Sequence, residues 1–386
     1  MKIAYLVWDL SDAATVRRAE MLQAGGAHLV AAGFRRGETA PTRLAGAPAL
    51  DLGRTFDGRL AHRAGLVALR CARLAALRDV VQGADVVLAR NLETLAIAAL
   101  ARRAYAPRAK LVYECLDIHR LMCGAGPASI GLRALESALL RSCSAVIVSA
   151  PAFISEYFEK RHRHLPRMVL VENKVLRAAG PIDRRQAAPR PAGPPWRIGW
   201  FGNLRCRKSV DLLKDIVRRA GGAVEVVMRG RPSAHTLPDL ETLIADTPHI
   251  RFAGPYAQAD LARIYGEVHF AWSLDYTDEG MNSDWLLPNR IYEGSFFNTP
   301  SIAERRTAIG GWLADKGAGL LVDDPVADTV RMLSALTPDA YRVLEQRTGN
   351  IDTRAIAFDR EACVDLVASL AYGRSLSFSE LPAVPG

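Results

Sequence analysis

The strongest constraint on the fold is an alternation of short apolar runs with longer amphipathic stretches, which occurs twice along the chain. Runs rich in Val, Ile and Leu indicate strands buried on both faces of a parallel sheet, and the intervening segments have helical spacing. The apolar runs are KIAYLVW, HLVAAGF, ADVVLAR, AKLVYEC, SAVIVSA and RMVLVEN in the first half, then WRIGWFG, AVEVVMRG, HIRFAGP, VHFAWSL, TPSIAE and AGLLVDD in the second. The pattern predicts an α/β chain with two doubly wound domains.

The alternation is interrupted over residues 177–195, where proline, glycine, alanine and charged residues replace the periodic pattern. Such a composition is typical of a linker. We therefore predict a first domain over residues 1–176, a linker over 177–195 and a second domain over 196–353. Residues 354–386 are predicted to form a C-terminal helix from about Arg354 to Leu370 and a loose tail. Two such domains with a cleft between them are expected to bind ligands at the carboxyl ends of their strands.

Positive charge is concentrated in the first half of the chain. The formal charge is +9 over 386 residues, and residues 1–176 hold 25 Lys and Arg against 15 Asp and Glu. This excess indicates an anionic partner, for which membrane lipid, a polyphosphate-linked acceptor and nucleic acid all qualify. An arginine-rich composition with solvated side chains is the alternative. Aromatic residues make up 7% of the chain, without a stacking cluster, a zinc spacing or a glycine-aromatic RNA motif, so we expect no nucleic-acid partner.

Hydropathy and cysteine usage favour a cytoplasmic protein. The sequence has no apolar run of membrane-spanning length, and its first strand pattern begins without a basic leader. Six cysteines are scattered without CxxC pairs, which predicts neither a zinc site nor a disulfide framework. We expect these thiols to be reduced and mostly buried.

A basic segment runs from Arg54 to Arg78, with the sequence RTFDGRLAHRAGLVALRCARLAALR. Its arginines and leucine-rich face predict a basic amphipathic helix that lies on anionic lipid. The alternative is a crossover helix whose apolar stripe packs on the sheet. The first interpretation places the protein peripherally on the inner face of the cell membrane.

The second domain opens with WRIGWFGNLRCRKSVDLLKDI, a strand, a glycine turn, a basic loop and a helix. Backbone amides at a helix N-terminus and cations near Gly202 suit a diphosphate. The segment resembles glycosyltransferase family 4, whose members have the GT-B fold of two Rossmann-like domains facing a cleft. Lys208 matches the family's diphosphate-binding lysine, Asn203 stands where an arginine is usual, and Arg205 is expected to supply that cation. A surface loop with incidental charges is the alternative.

A second resemblance to family 4 lies in VHFAWSLDYTDEGMNSDWLLPNRIYEGSFFNTPSIA. Glu293 takes the position of the family glutamate that binds the ribose hydroxyls of the sugar nucleotide. An ionised carboxylate is suited to this role because it accepts strong hydrogen bonds from both hydroxyls. The family's first glutamate is replaced by Trp285, with Asp284 and Glu279 nearby. A helix-surface glutamate is the alternative for Glu293. The donor-binding residues that the resemblance implies are Gly202, Asn203, Arg205, Lys208, Asp284, Asn289, Arg290 and Glu293.

The first domain contains AKLVYECLDIHRLM, which is similar to the family's strand and loop at the cleft. Glu114 and Asp117 match its two acids, whereas Leu116 occupies the histidine position and His119 follows three residues later. A histidine there is placed to contact the transferred sugar or the acceptor, which makes His119 a candidate catalytic residue. A hydrogen-bonded structural histidine is the alternative.

The first turn of the chain, WDLSDAATVRRAEML, follows strand one where family members meet the acceptor. This position makes Ser11, Asp12 and Arg17 candidate acceptor-binding residues, and Asp117, which matches the family's second acid in AKLVYECLDIHRLM, is the fourth. The alternative for Ser11 and Asp12 is that they cap the following helix.

The resemblance implies a retaining glycosyltransferase that moves a sugar from a nucleotide-diphosphate sugar to a glycan or lipid-linked acceptor in cell-surface polysaccharide assembly. Arg205 and Lys208 would stabilise the leaving diphosphate and, with His119, form the catalytic set. The family binds the diphosphate without a metal, so we expect no metal and no cofactor. The alternatives are another GT-B enzyme, such as a sugar-nucleotide epimerase, and a basic nucleic-acid-binding protein.

Overall fold

The computed structural model describes residues 1–56, 58–178 and 190–376. These residues divide into two compact units. The first unit holds the chain up to Glu172, residues 176–178 and the chain from Phe358 onward, and the second holds residues 173–175 and 190–357. Most of the predicted linker, residues 179–189, and the predicted tail from residue 377 lie outside the described residues.

The first unit is built on an eight-stranded sheet. Its strands are β1 (Lys2–Val7), β2 (His28–Arg35), β3 (Arg43–Leu44), β4 (Ala47–Arg54), β5 (Val86–Arg90), β6 (Lys110–Cys115), β7 (Ala145–Val148) and β8 (Arg167–Leu170). The strand order is β3-β4-β2-β1-β5-β6-β7-β8, and all neighbours are parallel except β3 and β4. The order reverses between β1 and β5, so the carboxyl ends of these two strands flank the expected ligand crevice.

Helices cover this sheet on its two faces. They are α1 (Ala13–Ala24), α2 (Leu60–Ala72), α3 (Arg78–Val81), α4 (Leu92–Tyr105), α5 (Arg120–Cys123), α6 (Pro127–Leu140) and α7 (Glu159–Arg161), with a 3₁₀ turn at Leu74–Leu77 and a π-helical turn at Phe153–Phe158. A two-residue strand, β9 (Val175–Leu176), follows β8. Buried Val, Ile and Leu side chains from the central strands form the core, as the apolar runs predict.

The predicted helix from Arg54 to Arg78 is wrong at both ends. Arg54 is the last residue of β4 and pairs with Arg35 of β2. Gly58 then takes a left-handed backbone with φ of +73°, which no helix accommodates, so α2 begins only at Leu60. Asp57 lies outside the described residues. The helix therefore spans Leu60–Ala72, and Arg78 begins a separate helix.

The second unit repeats the architecture on a six-stranded sheet. Its strands are β10 (Trp196–Leu204), β11 (Val224–Pro232), β12 (Ile250–Phe252), β13 (Phe270–Trp272), β14 (Ser301–Glu304) and β15 (Leu320–Val322). The order is β12-β11-β10-β13-β14-β15, with parallel pairing throughout. The order reverses between β10 and β13. The prediction of an α/β chain with two doubly wound, Rossmann-like domains is confirmed.

Nine helices accompany the second sheet within the described residues. They are α8 (Arg207–Ala220), α9 (Leu240–Ile244), α10 (Leu261–Gly266), α11 (Asn282–Trp285), α12 (Asn289–Phe296), α13 (Ala308–Lys316), α14 (Pro325–Ala335), α15 (Pro338–Gly349) and α16 (Thr353–Ile356), with a 3₁₀ turn at Gln258–Asp260. In the part of the chain that the structure describes, no helix combines the length and the apolar character needed to span a bilayer.

The predicted C-terminal helix from Arg354 to Leu370 is divided in two. The helix α16 ends at Ile356, and the strand β16 (Ala357–Phe358) pairs with β9. Asp359 then caps the helix α17 (Arg360–Tyr372) by accepting from the Ala362 N–H at 2.9 Å. The side chains of α17 join the core of the first unit and pack on α1.

A buried histidine ties β10 to β13 in the second unit. The His269 Nδ1 accepts from the Arg197 N–H at 2.9 Å, and its Nε2 lies 3.0 Å from the Pro191 carbonyl oxygen. This pairing requires a neutral ring that is protonated on Nε2. Burial lowers the pKa of His269 to about 4, and the positive charges of Arg190 and Arg197 act in the same direction.

Candidate functional site

The loop after β10 lies at the reversal point of the second sheet and opens into α8. Gly202, near the end of β10, has φ of +110°, and Gly230 of β11 packs against it so closely that a Cβ there would lie 1.8 Å from the Gly202 oxygen. Cys206 is the N-cap of α8 and accepts from the Ser209 N–H at 3.4 Å. The first turn of α8 therefore presents backbone amides beside Lys208, the arrangement expected for an anion.

Arg205 is held by a buried carboxylate from the loop after β13. Its Nη2 lies 3.6 Å from Asp275 Oδ2. Arg290 of α12 approaches the same place and donates from Nη1 to the Trp272 oxygen at 3.3 Å. Burial alone would raise the pKa of Asp275, but Arg205, Arg290 and hydrogen bonds from Thr277 hold that pKa below its ordinary value. The loop after β10, the loop after β13 and the helix α12 thus meet at the ionised carboxylate of Asp275.

Lys208 has a different, more exposed partner. Its Nζ lies 2.8 Å from Glu279 Oε2 and 4.0 Å from the centre of the Tyr276 ring. The side chains of Lys208 and Glu279 are 50% and 44% exposed. The Tyr276 hydroxyl donates to Glu304 Oε1 at 2.9 Å, which fixes the ring beneath the ammonium group.

Asp284 lies against an arginine that sequence analysis did not identify. The Arg306 Nη1 lies 2.5 Å from Asp284 Oδ2, while Nη2 lies 2.8 Å from Glu304 Oε2 and 3.3 Å from Glu279 Oε1. Arg306 follows β14, so it reaches these carboxylates from the next strand of the sheet. Asp284 is thus brought to the site, with its carboxylate engaged by Arg306.

Glu293 lies on α12 with its carboxylate fixed by a buried tyrosine. The Tyr265 hydroxyl donates to Glu293 Oε2 at 2.9 Å. Burial raises the pKa of Tyr265, and the charge of Glu293 raises it further. Burial also raises the pKa of Tyr256, again with a contribution from Glu293. Glu293 itself is half-buried and Asn289, the first residue of α12, is half-buried too.

Asn203 stands where the family resemblance leads one to expect an arginine. It is exposed and pairs in register with Arg231 of the parallel neighbour β11. Register partners in parallel strands project their side chains on the same face of the sheet. Arg231, also exposed, therefore brings a cation next to Asn203. The sequence signal was present in MRGRP, where a basic residue follows the glycine at the end of β11.

The matched acid Glu114 is wholly buried in the first unit. It accepts from Arg18 Nε at 2.6 Å and from the Tyr5 hydroxyl at 2.5 Å, with Arg90 Nε 3.8 Å away. Burial alone would raise its pKa, but Arg18 and Arg90 hold the pKa of Glu114 below its ordinary value. Glu114 therefore stabilises the interior beneath the carboxyl ends of β1, β5 and β6.

The predicted acceptor-binding residues lie at these same strand ends. Asp12 caps α1 by accepting from the Thr15 N–H at 2.9 Å, and its Oδ2 is 3.5 Å from Arg90 Nη1. Ser11 is exposed, and its N–H donates to Asp9 Oδ1 at 2.9 Å. Arg17 is half-buried on α1. Asp12 thus performs the capping role that was the alternative, at a position beside the reversal point.

His119 is the N-cap of α5. Its Nδ1 accepts from the Leu121 N–H at 3.2 Å, and the ring is exposed. Asp117, two residues earlier, is also exposed. The structure therefore shows a capping interaction for His119, and its catalytic role stays a prediction.

Several site residues were missed because they come from distant segments. Asp275 and Tyr276 lie in the loop after β13, within the stretch that resembles family 4, so their position after a buried strand is a signal that the sequence offers. Tyr265, Glu304 and Arg306 join the site only through the tertiary fold. No local pattern marks them.

The two doubly wound units have the fold of GT-B proteins, and paired cations and carboxylates lie at the reversal point of the second unit. Among solved structures, sucrose-phosphate synthase from Thermosynechococcus elongatus matches with a TM-score of 0.70 at 16% identity, covering 96% of this chain and 98% of that one. Anabaena HepE, solved with UDP-glucose, matches with a TM-score of 0.68 at 15% identity, covering 97% and 100%. At these identities the matches show the fold.

The family is shown by a closer relative in sequence. The chain is 42% identical over 376 residues to the succinoglycan biosynthesis protein ExoL of Rhizobium meliloti (strain 1021), and the match covers 96% of this chain and 93% of ExoL. The protein belongs to the ExoL family. No protein-family model matches the chain.

Proposed function

We propose that this protein is a retaining glycosyltransferase of the family 4 kind, which transfers a sugar from a nucleotide-diphosphate sugar to a glycan or lipid-linked acceptor in cell-surface polysaccharide assembly. The observation that carries the proposal is the meeting of the β10 loop, the β13 loop and α12 around Asp275. The relative ExoL is named for succinoglycan biosynthesis, and HepE has been solved with UDP-glucose. Both names support a nucleotide-sugar donor and a polysaccharide product.

The donor diphosphate binds at the first turn of α8, between Arg205 and Lys208. Negative charge develops on the diphosphate as the sugar departs, and fixed cations there lower the barrier most. Arg231 adds a further cation beside Asn203, in addition to the charge that Arg205 supplies. Glu293 accepts hydrogen bonds from the ribose hydroxyls, held in position by Tyr265. Asn289, Arg290 and Asp284 complete the donor-binding set.

Lys208 changes partner when the donor binds. Its ion pair with Glu279 is half-exposed, and such pairs contribute only about 0–1 kcal/mol. The diphosphate therefore displaces Glu279 at small cost, and Arg306 remains beside the released carboxylate. Positive charge from these side chains and from the α8 amides performs the task that a metal performs in other transferases, so the reaction needs no metal and no cofactor.

The acceptor binds to the first unit, at the carboxyl ends of β1 and β6. Ser11, Asp12, Arg17 and Asp117 contact it, and His119 contacts the transferred sugar. The acceptor hydroxyl attacks from the side that the diphosphate leaves, which retains the anomeric configuration without a protein nucleophile. The enzyme works peripherally on the inner face of the cell membrane, where a lipid-linked acceptor is found.

A transfer assay with UDP-, GDP- and ADP-sugars and a membrane-lipid extract tests the proposal. The wild-type protein is expected to move the sugar of one donor class to lipid, with retained configuration. Lys208→Ala is expected to lower kcat about 100-fold, because one group that stabilises developing charge contributes on that order. Lys316→Ala is the matched control, a lysine of α13 in the same unit.

Two results would count against the proposal. Conversion of the sugar nucleotide into an epimer without transfer would make the protein an epimerase. Equal activity of the Lys208→Ala and Lys316→Ala variants would remove the α8 loop from the donor site.

A further inference from the structure

The arginines of α2 do not face outward. One stripe of the helix is half-buried, formed by Arg63, Leu66, Val67, Arg70 and Cys71. The Arg63 Nη1 donates to Glu93 Oε1 at 3.0 Å, and the Arg70 Nε donates to the Leu52 oxygen at 2.8 Å. The predicted arginine face is therefore the face that packs on the protein.

The outward face of α2 is apolar instead. No residue of the helix is fully buried, and Leu60 and Leu69 are exposed, at 47% and 38%. The other exposed residues between these leucines are Ala61, His62, Ala64, Gly65 and Ala68. A helix that shows leucine and alanine to solvent has an unpartnered surface.

Two neighbouring helices extend this surface. The helix α4 packs between α2 and α6. Leu100 is exposed on α4, and Ile130 and Leu135 are exposed on α6. Within the described residues, five of the eight exposed large apolar side chains lie on these three helices. We call the outward faces of α2, α4 and α6 the apolar layer.

Acidic side chains are excluded from the apolar layer. The three helices contain only two acids: Glu93 is paired with Arg63, and Glu136 is buried, accepting from the Tyr113 and Tyr157 hydroxyls. The nearest following helix, α3, adds one exposed acid, Asp79. Exposed arginines stand at or next to the helix ends, namely Arg59, Arg73, Arg78, Arg103 and Arg141.

We infer that the apolar layer docks this protein on a lipid bilayer with anionic headgroups, through insertion of its apolar side chains between the arginines. The inference rests on the proposed function for its lipid-linked acceptor. An apolar helix face flanked by arginines is the composition of helices that lie in a membrane interface. The exposed arginines at the helix ends meet lipid phosphates, and the apolar side chains that enter the acyl boundary are Leu60, Leu69, Ile130 and Leu135.

Charge complementarity decides between a bilayer and another protein. A protein surface that covered the layer would have to be apolar at its centre and acidic opposite the arginines at the helix ends. An anionic bilayer offers both an apolar interior and a negatively charged surface. Residues 1–176, which include the layer, carry ten more basic than acidic residues. A second copy of this chain would place two arginine rims against each other.

Co-sedimentation with vesicles tests the inference. The wild-type protein is expected to bind vesicles that contain phosphatidylglycerol and to bind phosphatidylcholine vesicles weakly, with release as salt rises. A double variant, Leu60→Glu with Leu69→Glu, is expected to lose binding by about ten-fold or more, since burial of the exposed parts of the two leucines together contributes about that factor. Ile130→Glu with Leu135→Glu is expected to act alike. These side chains are exposed, so thermal melting should remain near that of the wild type.

Val343→Glu is the matched control, because Val343 is 49% exposed on α15 in the second unit. It should bind vesicles as the wild type does. Wild-type binding by both double variants would overturn the inference, as would a wild-type protein that stays unbound with anionic vesicles at low salt. A change of molecular mass in light scattering without vesicle binding would assign the layer to contacts between copies and would also overturn it. Calorimetry with the nucleotide separates the two proposals, since a docked protein without nucleotide affinity would contradict only the glycosyltransferase proposal.

Discussion

Glu293→Gln is expected to weaken donor-nucleotide binding while the second unit stays folded. The buried Tyr265 hydroxyl donates to Glu293, and a glutamine oxygen accepts the same hydrogen bond. The substitution therefore removes the charge and leaves Tyr265 paired. Glu293→Ala would instead leave a buried hydroxyl without its acceptor, which costs about 1–3 kcal/mol in the free energy of unfolding. The glutamine variant thus separates binding from stability.

The size of the change in nucleotide affinity follows from the replacement of a charged hydrogen-bond acceptor by a neutral one. A hydrogen bond to a charged group contributes about 1.5–3 kcal/mol and one between neutral groups about 0.5–1.5 kcal/mol. The exchange therefore costs about 1–1.5 kcal/mol for each ribose hydroxyl. Two hydroxyls give about 2–3 kcal/mol, which corresponds to a rise in Kd of about 30- to 150-fold.

Calorimetry with the nucleoside diphosphate of the active donor measures this Kd. Glu241→Gln is the control, an exposed glutamate on α9 of the same unit. A 2′-deoxynucleotide should lose less affinity in the Glu293 variant than the ribonucleotide does, because it lacks one of the two hydroxyls. An unchanged Kd for the ribonucleotide would refute the assignment of Glu293 to the ribose.

Three further outcomes are expected. Transfer should survive EDTA because Arg205 and Lys208 carry the diphosphate charge, and turnover that only added magnesium restores would contradict this. Arg231→Ala should raise the Kd of the nucleoside diphosphate about ten-fold, since a charged contact contributes about 1.5 kcal/mol or more, while Arg251→Ala on β12 should not, by calorimetry. The second unit should lose stability as pH falls from about 6.5 to 4, because the unfolded His269 binds a proton that the folded ring, with its pKa of about 4, excludes. Urea unfolding followed by tryptophan fluorescence measures this slope, which His269→Gln should flatten.

The sequence predicts the strands of both sheets well because parallel strands are buried on both faces and appear as continuous Val, Ile and Leu runs. The strand β4 does not show this pattern and was not predicted. Its sequence, APALDLGR, contains Pro48, Asp51 and Gly53, which interrupt any apolar run. It lies near the edge of the sheet, paired with β2 and the two-residue β3, where such residues are tolerated.

Neither interpretation of the Arg54–Arg78 segment predicted that the arginines of α2 face the protein. Arg63 and Arg70 are seven residues apart, so they share one face with Leu66 and Val67. Helical spacing therefore permitted the observed arrangement. The partners of these arginines lie on other elements: Arg63 donates to Glu93 on α4, and Arg70 donates to the Leu52 oxygen on β4. The sequence of the segment itself therefore does not predict them.

The two cations proposed for the donor site, Arg205 and Lys208, differ in how buried their carboxylate partners are. Arg205 is paired with Asp275, whose side chain is 8% exposed and whose pKa stays low, so this guanidinium is fixed before any ligand arrives. Lys208 is paired with Glu279 where both side chains meet solvent, so its ammonium group exchanges partners readily. In the proposed function, the Arg205 guanidinium positions the diphosphate, whereas the Lys208 ammonium group follows the charge as it shifts to the leaving oxygen. The family motif marks the positions of Asn203 and Lys208 as basic and does not identify Arg205, and the burial of the carboxylate partners of Arg205 and Lys208 is seen only in the structure.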